Sequence, residues 1–465
     1  LLLLIEIRQH FVDFLFQGHF HAHKYNTLYL KCQGYLLTYP NYSTLVSILC
    51  SFGKTNTVGK AFGIIKFKGY EGAHADFSIP RSENKKGVGH TGFDVEFGDL
   101  TPEEASERRD FTWNALAYDP INMVIYDGYG GLKDLKNKII RHTSDKFAED
   151  PLRVLRAMQF QARTGFSFTN ETKEIMRTMS GDIAFLSKER ISEEFMKWAI
   201  KGKHHELIFD FIRDSGQESM FPELMVLKDT PQDKIFHPEG DVELHTKLVM
   251  KRMSAICDRE NLSGDRKAAM VFSALLHDIA KPFTTKEEFK RGRLTITSPE
   301  HDAKGGLIAV EILRRIKIKD DIIHKVKNLI SNHLEHINIS KIAEDKGKLS
   351  ATLKLAKRLY PASIEELLWL IEADIHGRMY DRMEASLYKD NMKRLGLLEE
   401  LSEKITVKDE PRRPIIMGRH LIEMGMIPSI QFGKILHEAE IAQDNLEFDT
   451  LEGGKKWLTL YLRKS

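Results

Sequence analysis

The chain has few cysteines, almost no net charge and no long apolar run. Only Cys32, Cys50 and Cys257 occur, and none stands in a CxxC spacing. That argues against a disulfide framework or a thiolate zinc site, and it fits a reducing cytoplasm. The formal net charge is +2 over 465 residues, so there is no global basic field. RNA binding has to come from local arginine and lysine clusters. No segment approaches the ~20 apolar residues of a membrane span, so no membrane partner is expected. The opening run Leu1–Leu4 is short, lacks a basic leader and is broken by Glu6 and Arg8, which argues against a secretion signal. Acidic residues are missing altogether between Gly18 and Gly69, so that stretch has no paired carboxylates to hold a catalytic metal.

What is present points to a multidomain globular protein. A chain of 465 residues is too long for one core and suggests two to four domains. Between residues 58 and 98, glycine-punctuated segments such as FGIIKF and FDVEF alternate like the strands of a small sheet. From Glu103 onward the pattern reads as helical to the end of the chain. The expected fold is an α/β head with a small mixed sheet over residues 1–140, its first 40 residues atypical. All-α parts follow: a neck over 141–235, a metal-site domain over 236–340 and a C-terminal region over 341–465. Pro231 and Pro238 mark the loop 226–241 as a boundary, and LSGD at 262–265 reads as a helix start.

Two groups of residues carry chemistry. The first lies in RRDFTWNALAYDP (108–120) and EDPLRVLRAMQFQAR (149–163). On a helix, Asp110 and Asn114 share a face, so Arg109, Asp110 and Asn114 offer a cation, an acceptor and an amide to one ribose-phosphate. Asp150 and Arg153 stand at i and i+3, giving either an intrahelical salt bridge or a donor–acceptor array for the edge of a nucleobase. The second group is His245, His277-Asp278 and Asp374, with His301 and His333 as further candidates. Imidazoles and carboxylates together suit a divalent transition metal or Mg²⁺. The alternative for these histidines is a structural role without metal.

These motifs, in this order, resemble the class II CCA-adding and poly(A) polymerase family of nucleotidyltransferases. RRDFTWNALAYDP resembles that family's RRDxTxN motif, and EDPLRVLRAMQFQARTGF its EDxxR motif. SKERISEEFMK (187–197) resembles the neck motif, and the run from His245 to Asp374 resembles the HD phosphohydrolase domain of bacterial CCA proteins. The resemblance implies Arg109, Arg153 and Arg156 as nucleotide contacts, supported by Asp110, Asn114 and Asp150. It implies Arg190 and Glu194 as braces of the neck helix, Asp76 as a catalytic carboxylate of the head, and His245, His277, Asp278 and Asp374 as metal ligands, Asp278 being catalytic. The implied cofactors are Mg²⁺ in the head and a divalent transition metal or Mg²⁺ in the HD domain. The implied partners are ATP, CTP and the 3′ end of tRNA or another RNA, in the cytoplasm. A poly(A) polymerase of the same fold fits the same motifs. So does an RNA- or nucleotide-binding protein with an inactive polymerase head.

The resemblance also implies a GGxxRD loop and an aspartate-x-aspartate pair ahead of VSILCSFGKTNTVGKAFG. The chain has neither, and Asp13 is the one earlier acidic candidate near the expected place. The residues to about Tyr39 are expected to be out of frame or from a wrong gene start, with family-like sequence resuming near Asn41. The competing expectation is a genuine divergence. Either way the sequence as written is expected to be impaired in nucleotide addition.

Overall fold

Apolar and polar residues alternate in IIKFKG (64–69) and FDVEF (93–97), which form strands. In this computed structural model the described residues are 42–51, 53–57, 64–69, 74–78, 81–85, 93–97, 101–119, 123–290, 292–378 and 385–463. The expectations for residues 1–41, Asp13 included, lie outside them. The chain divides into two units: Leu1–Ala157 with Phe166–Leu186, and Met158–Gly165 with Ser187–Ser465.

In the first unit, helix α1 (Tyr42–Cys50) precedes strands β1 (Gly53–Asn56), β2 (Ile64–Gly69) and β3 (His74–Ser78). The three form an antiparallel sheet in the order β1-β2-β3, with Phe67 opposite Thr55 and Ala75. Leu49, Ile65 and Phe67 make its small core, joined by Val46 and Phe77. Asp76 stands on β3, paired in register with Lys66 of β2. Strands β4 (Arg81–Lys85) and β5 (Phe93–Phe97) form a second antiparallel pair. Both FGIIKF and FDVEF thus contribute strands. The sheet pairing is antiparallel, and the one parallel pair among the described residues is made by two short strands farther on.

Helical structure does not run unbroken from Glu103. Helix α2 (Pro102–Ser106) starts with a capping box: Thr101 accepts from the Glu104 N–H, and Glu104 accepts from the Thr101 N–H. Strands β6 (Ala117–Asp119) and β7 (Val124–Tyr126) then pair antiparallel. Helix α3 (Gly131–Asn137) follows. Strand β8 (Ile139–Ile140) pairs in parallel with β9 (Ser167–Phe168), with helix α4 (Leu152–Thr164) between them in sequence. Helix α5 (Asn170–Thr178) begins at Thr169, whose hydroxyl caps it. Phe111, Ile140 and Phe147 are fully buried here.

The second unit is mainly helical. Its helices are α6 (Lys188–Lys201), α7 (Ile208–Ser215), α8 (Pro222–Met225), α9 (Val242–Arg259), α10 (Gly264–Leu276) and α11 (Lys281–Thr284). A hairpin of β10 (Lys286–Lys290) and β11 (Arg293–Thr297) interrupts them. The helical reading fails there because Gly292, at φ +76°, turns the chain and the β-branched run Thr295–Thr297 favours a strand. Helices α12 (His301–Arg315), α13 (Asp320–Asn332), α14 (Glu335–Ser340), α15 (Asp345–Leu359), α16 (Ile364–Gly377) and α17 (Ala385–Lys404) follow. Three more close the described chain: α18 (Gly418–Glu423), α19 (Gln431–Asp444) and α20 (Leu451–Leu462). Helix α10 is buried on every side from Lys267 to Leu276, as expected of a central helix that other helices surround.

Two features set the positions of site residues. The loop 226–241 carries its own hydrogen bonds: the Asp229 N–H donates to Asp241, and the Gln232 amide donates to the Gly240 carbonyl. Gly377 lets α16 lie close on α9. A Cβ there would fall 2.5 Å from Val249 Cγ2 and 3.0 Å from the Val249 nitrogen. That approach sets Asp374 beside His245, each about one turn before the contact.

Candidate functional site

In the first unit, Asp110 is the hub. Its Oδ1 accepts from the Phe111 N–H and the Asn114 amide, both at 2.9 Å. Its Oδ2 accepts from Arg156 Nε at 2.7 Å and lies 2.6 Å from Nη2. Asp110 and Asn114 do meet, but not on a helix face. Asp110 lies in a bend, and Thr112–Asn114 is a 3₁₀ turn capped by Phe111. The aspartate's bonds to its neighbour's N–H and to a nearby amide compete with helix formation.

Asp150 also lies off the helix. It has extended backbone ahead of α4, and its carboxylate accepts from the Leu152 N–H at 3.0 Å. Arg153 donates to the Arg108 carbonyl at 2.7 Å and to the Lys146 carbonyl. Burial pushes the Arg153 guanidinium below its ordinary pKa. Arg108, which the sequence did not single out, pairs with Glu149 at 2.5 Å. Three arginines thus tie the segment 108–110 to 146–156, while Arg109 is half-buried in the turn before Asp110. In the second unit, Arg190 lies in the first turn of α6 and its N–H donates to the Ser187 cap. Glu194 is buried on that helix and pairs with Lys197 at 2.8 Å.

The second group lies wholly in the second unit, and the fold gathers all six residues of it. His245 is on α9, His277 and Asp278 follow the end of α10, and His301 opens α12. His333 caps α13, and Asp374 is on α16. All six are buried. His245 Nε2 lies 3.0 Å from Asp374 Oδ1, 3.3 Å from His277 Nε2 and 3.6 Å from Asp278 Oδ2. His277 Nε2 is 3.1 Å from Asp278 Oδ2, and His301 Nε2 is 3.3 Å from Asp278 Oδ1. The His333 ring packs against those of His277 and His301, with centroids 5.7 and 5.2 Å away.

The tautomers follow from the partners. Nδ1 of His277, His301 and His333 faces the carbonyl three residues earlier, at 3.0, 2.6 and 2.7 Å. A carbonyl only accepts, so each Nδ1 carries the proton and each Nε2 keeps its lone pair. Burial pushes His333 down to about 3, so it stays neutral at neutral pH. Lone pairs and carboxylate oxygens therefore face one another in a buried space. A proton on His245 Nε2 relieves part of that repulsion, and a divalent cation relieves more. The donor set of imidazole nitrogen and carboxylate oxygen fits such an ion. Among the described residues, every cluster of histidine and acidic groups close enough to hold a metal belongs to the second unit.

Cations and a carboxylate surround these six residues, and none of them was picked out from the sequence. Lys281 lies 2.7 Å from Asp278 Oδ2 and also donates to Gln232 at 2.7 Å. Arg378 holds Asp374 Oδ2 at 2.7 Å. Burial works against ionising Asp278 and Asp374. The neighbouring groups, the His277 ring and the Lys281 ammonium for one and the Arg378 guanidinium for the other, outweigh it and hold both far below the usual carboxylate range. Glu239 lies 2.7 Å from His245 Nδ1 and accepts from His237 Nδ1 at 2.9 Å. The available signals were slight: Lys281 at i+3 from Asp278, Arg378 at i+4 from Asp374, and an acid beside the first histidine in HPEGDVELH.

Three family profiles match the chain. Residues 47–141 match the poly A polymerase head domain, 165–227 the probable RNA and SrmB-binding site of polymerase A, and 242–379 the HD domain. The multifunctional CCA protein of Pasteurella multocida (strain Pm70) is 36% identical over 315 residues, 65% of this chain and 71% of that protein. The chain belongs to the multifunctional CCA protein family. The Xylella fastidiosa (strain 9a5c) member is 33% identical over 311 residues, again 65% of this chain and 71% of that protein. The fold is similar to the Bacillus stearothermophilus CCA-adding enzyme, solved in complex with CTP. There the TM-score is 0.55 at 17% identity, covering 91% of this chain and 87% of that one. It is also similar to the Thermotoga maritima CCA-adding enzyme complexed with tRNA_CCA, with a TM-score of 0.50 at 16% identity, covering 91% and 85%. Among the described residues no helix is long and apolar enough to cross a membrane.

Proposed function

We propose that the chain is a CCA-adding tRNA nucleotidyltransferase that also carries a metal-dependent HD phosphohydrolase centre. The transferase reaction is attack of an RNA 3′ oxygen on the α-phosphorus of CTP or ATP. The bond to the β-phosphate breaks and pyrophosphate leaves. Arg109, Arg153 and Arg156 are the proposed nucleotide side of the head and neck, with Asp110, Asn114 and Asp150 holding them in place. The ties from Arg153 and Arg156 to segment 108–110 support that reading, since they make one rigid body of both motifs. Asp76 is the proposed head carboxylate for Mg²⁺. Arg190 and Glu194 brace the neck. The reducing cytoplasm is the proposed compartment. The poly A polymerase head match favours a second reading, addition of A alone. Incubating tRNA lacking its CCA end with CTP and ATP, singly and together, and with the chain whose residues 1–40 are replaced by a family segment bearing the aspartate pair, separates the two by the bases added.

For the HD centre the carrying observation is the buried cluster of imidazole lone pairs and carboxylates, whose geometry calls for a cation. His245, His277, Asp278 and Asp374 are the proposed ligands, and His301 and His333 would hold a second ion or the phosphate. When bound, a divalent cation supplies an electrophile for a phosphoryl oxygen and a water of lowered pKa. Arg378 occupies one oxygen of Asp374 and leaves the other toward His245. Lys281 steadies Asp278 and adds positive charge for an anionic substrate. The proposed substrates are 2′,3′-cyclic nucleotides and phosphate monoesters. We place the head at residues 1–140 and the neck at 141–235, and we let the metal domain that starts at 236 run through α16 so as to include Asp374. Hydrolysis of these esters by the purified chain, with and without chelator, tests the reading. Chelator-insensitive hydrolysis, or none at all, contradicts it.

A further inference from the structure

We propose that Glu239 is a positioning residue of this metal centre, a buried carboxylate that holds the His245 Nδ1–H and so turns the Nε2 lone pair onto the ion. The proposal rests on reading the cluster as a metal centre, and it adds a residue to it.

His277, His301 and His333 stand at helix ends, where the carbonyl three residues earlier is available to Nδ1. His245 stands inside α9. The Asp241 carbonyl there accepts from the His245 N–H, and the Val242 carbonyl accepts from the Thr246 hydroxyl. Its tautomer has to be set by a side chain. Glu239 Oε1 lies 2.7 Å from His245 Nδ1, and both side chains are 0% exposed. Both ring nitrogens face a carboxylate, Nε2 with Asp374 Oδ1 at 3.0 Å and Nδ1 with Glu239. An unprotonated nitrogen and a carboxylate oxygen at such separations repel, so an ion that takes the place of the Nε2 proton leaves the ring's proton on Nδ1. The contact is short but not aligned for a hydrogen bond.

Glu239 is itself fixed. His237 Nδ1 donates to the same oxygen, and Gly240, at φ +133°, turns the chain into the start of α9. That angle is one only glycine adopts readily. The charge count also favours the assignment. Asp278, Asp374 and Glu239 give three negative charges against the two positive charges of Lys281 and Arg378. Without Glu239 the charges cancel and the pull on a divalent ion weakens. A carboxylate behind a ligating histidine raises the basicity of the ligand and fixes its ring, and losing one typically weakens metal binding about 10–100-fold.

The competing arrangement places an additional ion among His237, Glu239 and His245 Nδ1, which are also close enough to hold one. Equilibrium dialysis of the full chain against Mn²⁺, for wild type, Glu239→Gln and His237→Gln, separates the two. The expected result is an unchanged number of ions in both variants. The Kd of Glu239→Gln rises about 10–100-fold, while that of His237→Gln rises less. A wild-type Kd in Glu239→Gln overturns the proposal. So does loss of one ion in both variants with the remaining affinity intact. Circular dichroism shows whether Glu239→Gln folds. If it does not, ¹⁵N imidazole spectra of Zn²⁺-loaded wild type decide: a protonated His245 Nδ1 with Nε2 on the metal supports the assignment, and a protonated Nε2 overturns it. A folded wild type that binds no metal removes the metal-centre reading along with this one. Wild-type binding that Glu239→Gln leaves unchanged removes this proposal alone.

Discussion

Asp110 gathers several polar contacts of the first unit's nucleotide motifs. One oxygen serves its neighbour's N–H and Asn114, and the other serves Arg156. Asp110→Ala removes these at once and leaves a partly buried guanidinium without its carboxylate. The expected cost is about 1.5–3 kcal/mol of stability, read as a lower denaturation midpoint, with weaker binding of CTP and ATP alike. An unchanged midpoint contradicts the hub. The residue types and their order were legible in the sequence, but their local geometry was not. Asp110 turns its carboxylate onto the next N–H in a bend, and Asp150 stays extended with its carboxylate on the Leu152 N–H, capping α4 rather than lying on its face, and spacing alone does not reveal that choice. His205 offers a test by pH. Burial pushes its imidazole down to about 4, with the charge of Lys267 adding to the effect. An unfolded chain takes up that proton near pH 6.5. Between those values the unfolded state binds more protons, so stability is fully present above about pH 6.5 and falls as the pH drops toward 4. The loss from this group is about 2–3 kcal/mol. Denaturation midpoints from pH 7 to 4.5 measure it, and His205→Asn, though less stable at pH 7, is expected to show a shallower acid slope.

At the scale of elements, helix-to-helix approach decides whether the proposed metal ligands meet. Gly377 seats α16 on α9 with no room for a methyl group. Gly377→Ala is therefore expected to move α16 outward, to cost about 1–3 kcal/mol, and to weaken metal binding although no ligand has changed. Metal affinity equal to wild type contradicts that account of how Asp374 reaches His245. The helices of the second unit were legible because their apolar faces repeat at helical spacing. The hairpin β10–β11 was not, because its charged, short strands carry little alternation. Glu239 was hidden for a related reason. It sits in a Pro- and Gly-containing loop whose course depends on hydrogen bonds to Asp241 and Gly240 rather than on any periodic pattern.

For the whole molecule, the two chemistries stand on unequal footing. The head motifs from Ala75 to Arg156 follow the family order, yet the stretch from Gly18 to Gly69 holds no acidic residue. The sequence as given is expected to add little or no CMP or AMP to tRNA lacking its CCA end, even in excess Mg²⁺. Replacing residues 1–40 with a family segment bearing the aspartate pair is expected to restore addition, and robust addition without that replacement would mean that other groups hold the metal. The proposed HD centre is independent of that stretch, since all its proposed ligands lie in the second unit. The most direct test of the central claim is metal content measured beside hydrolysis of a 2′,3′-cyclic nucleotide, for the wild-type chain and Asp278→Asn. The substitution keeps the side chain's size and removes the ligand charge. The account predicts bound divalent metal and chelator-sensitive hydrolysis in the wild type, and loss of both in a variant that circular dichroism shows to be folded. A folded wild type that binds no metal, or an Asp278→Asn protein that keeps its metal and its activity, contradicts it.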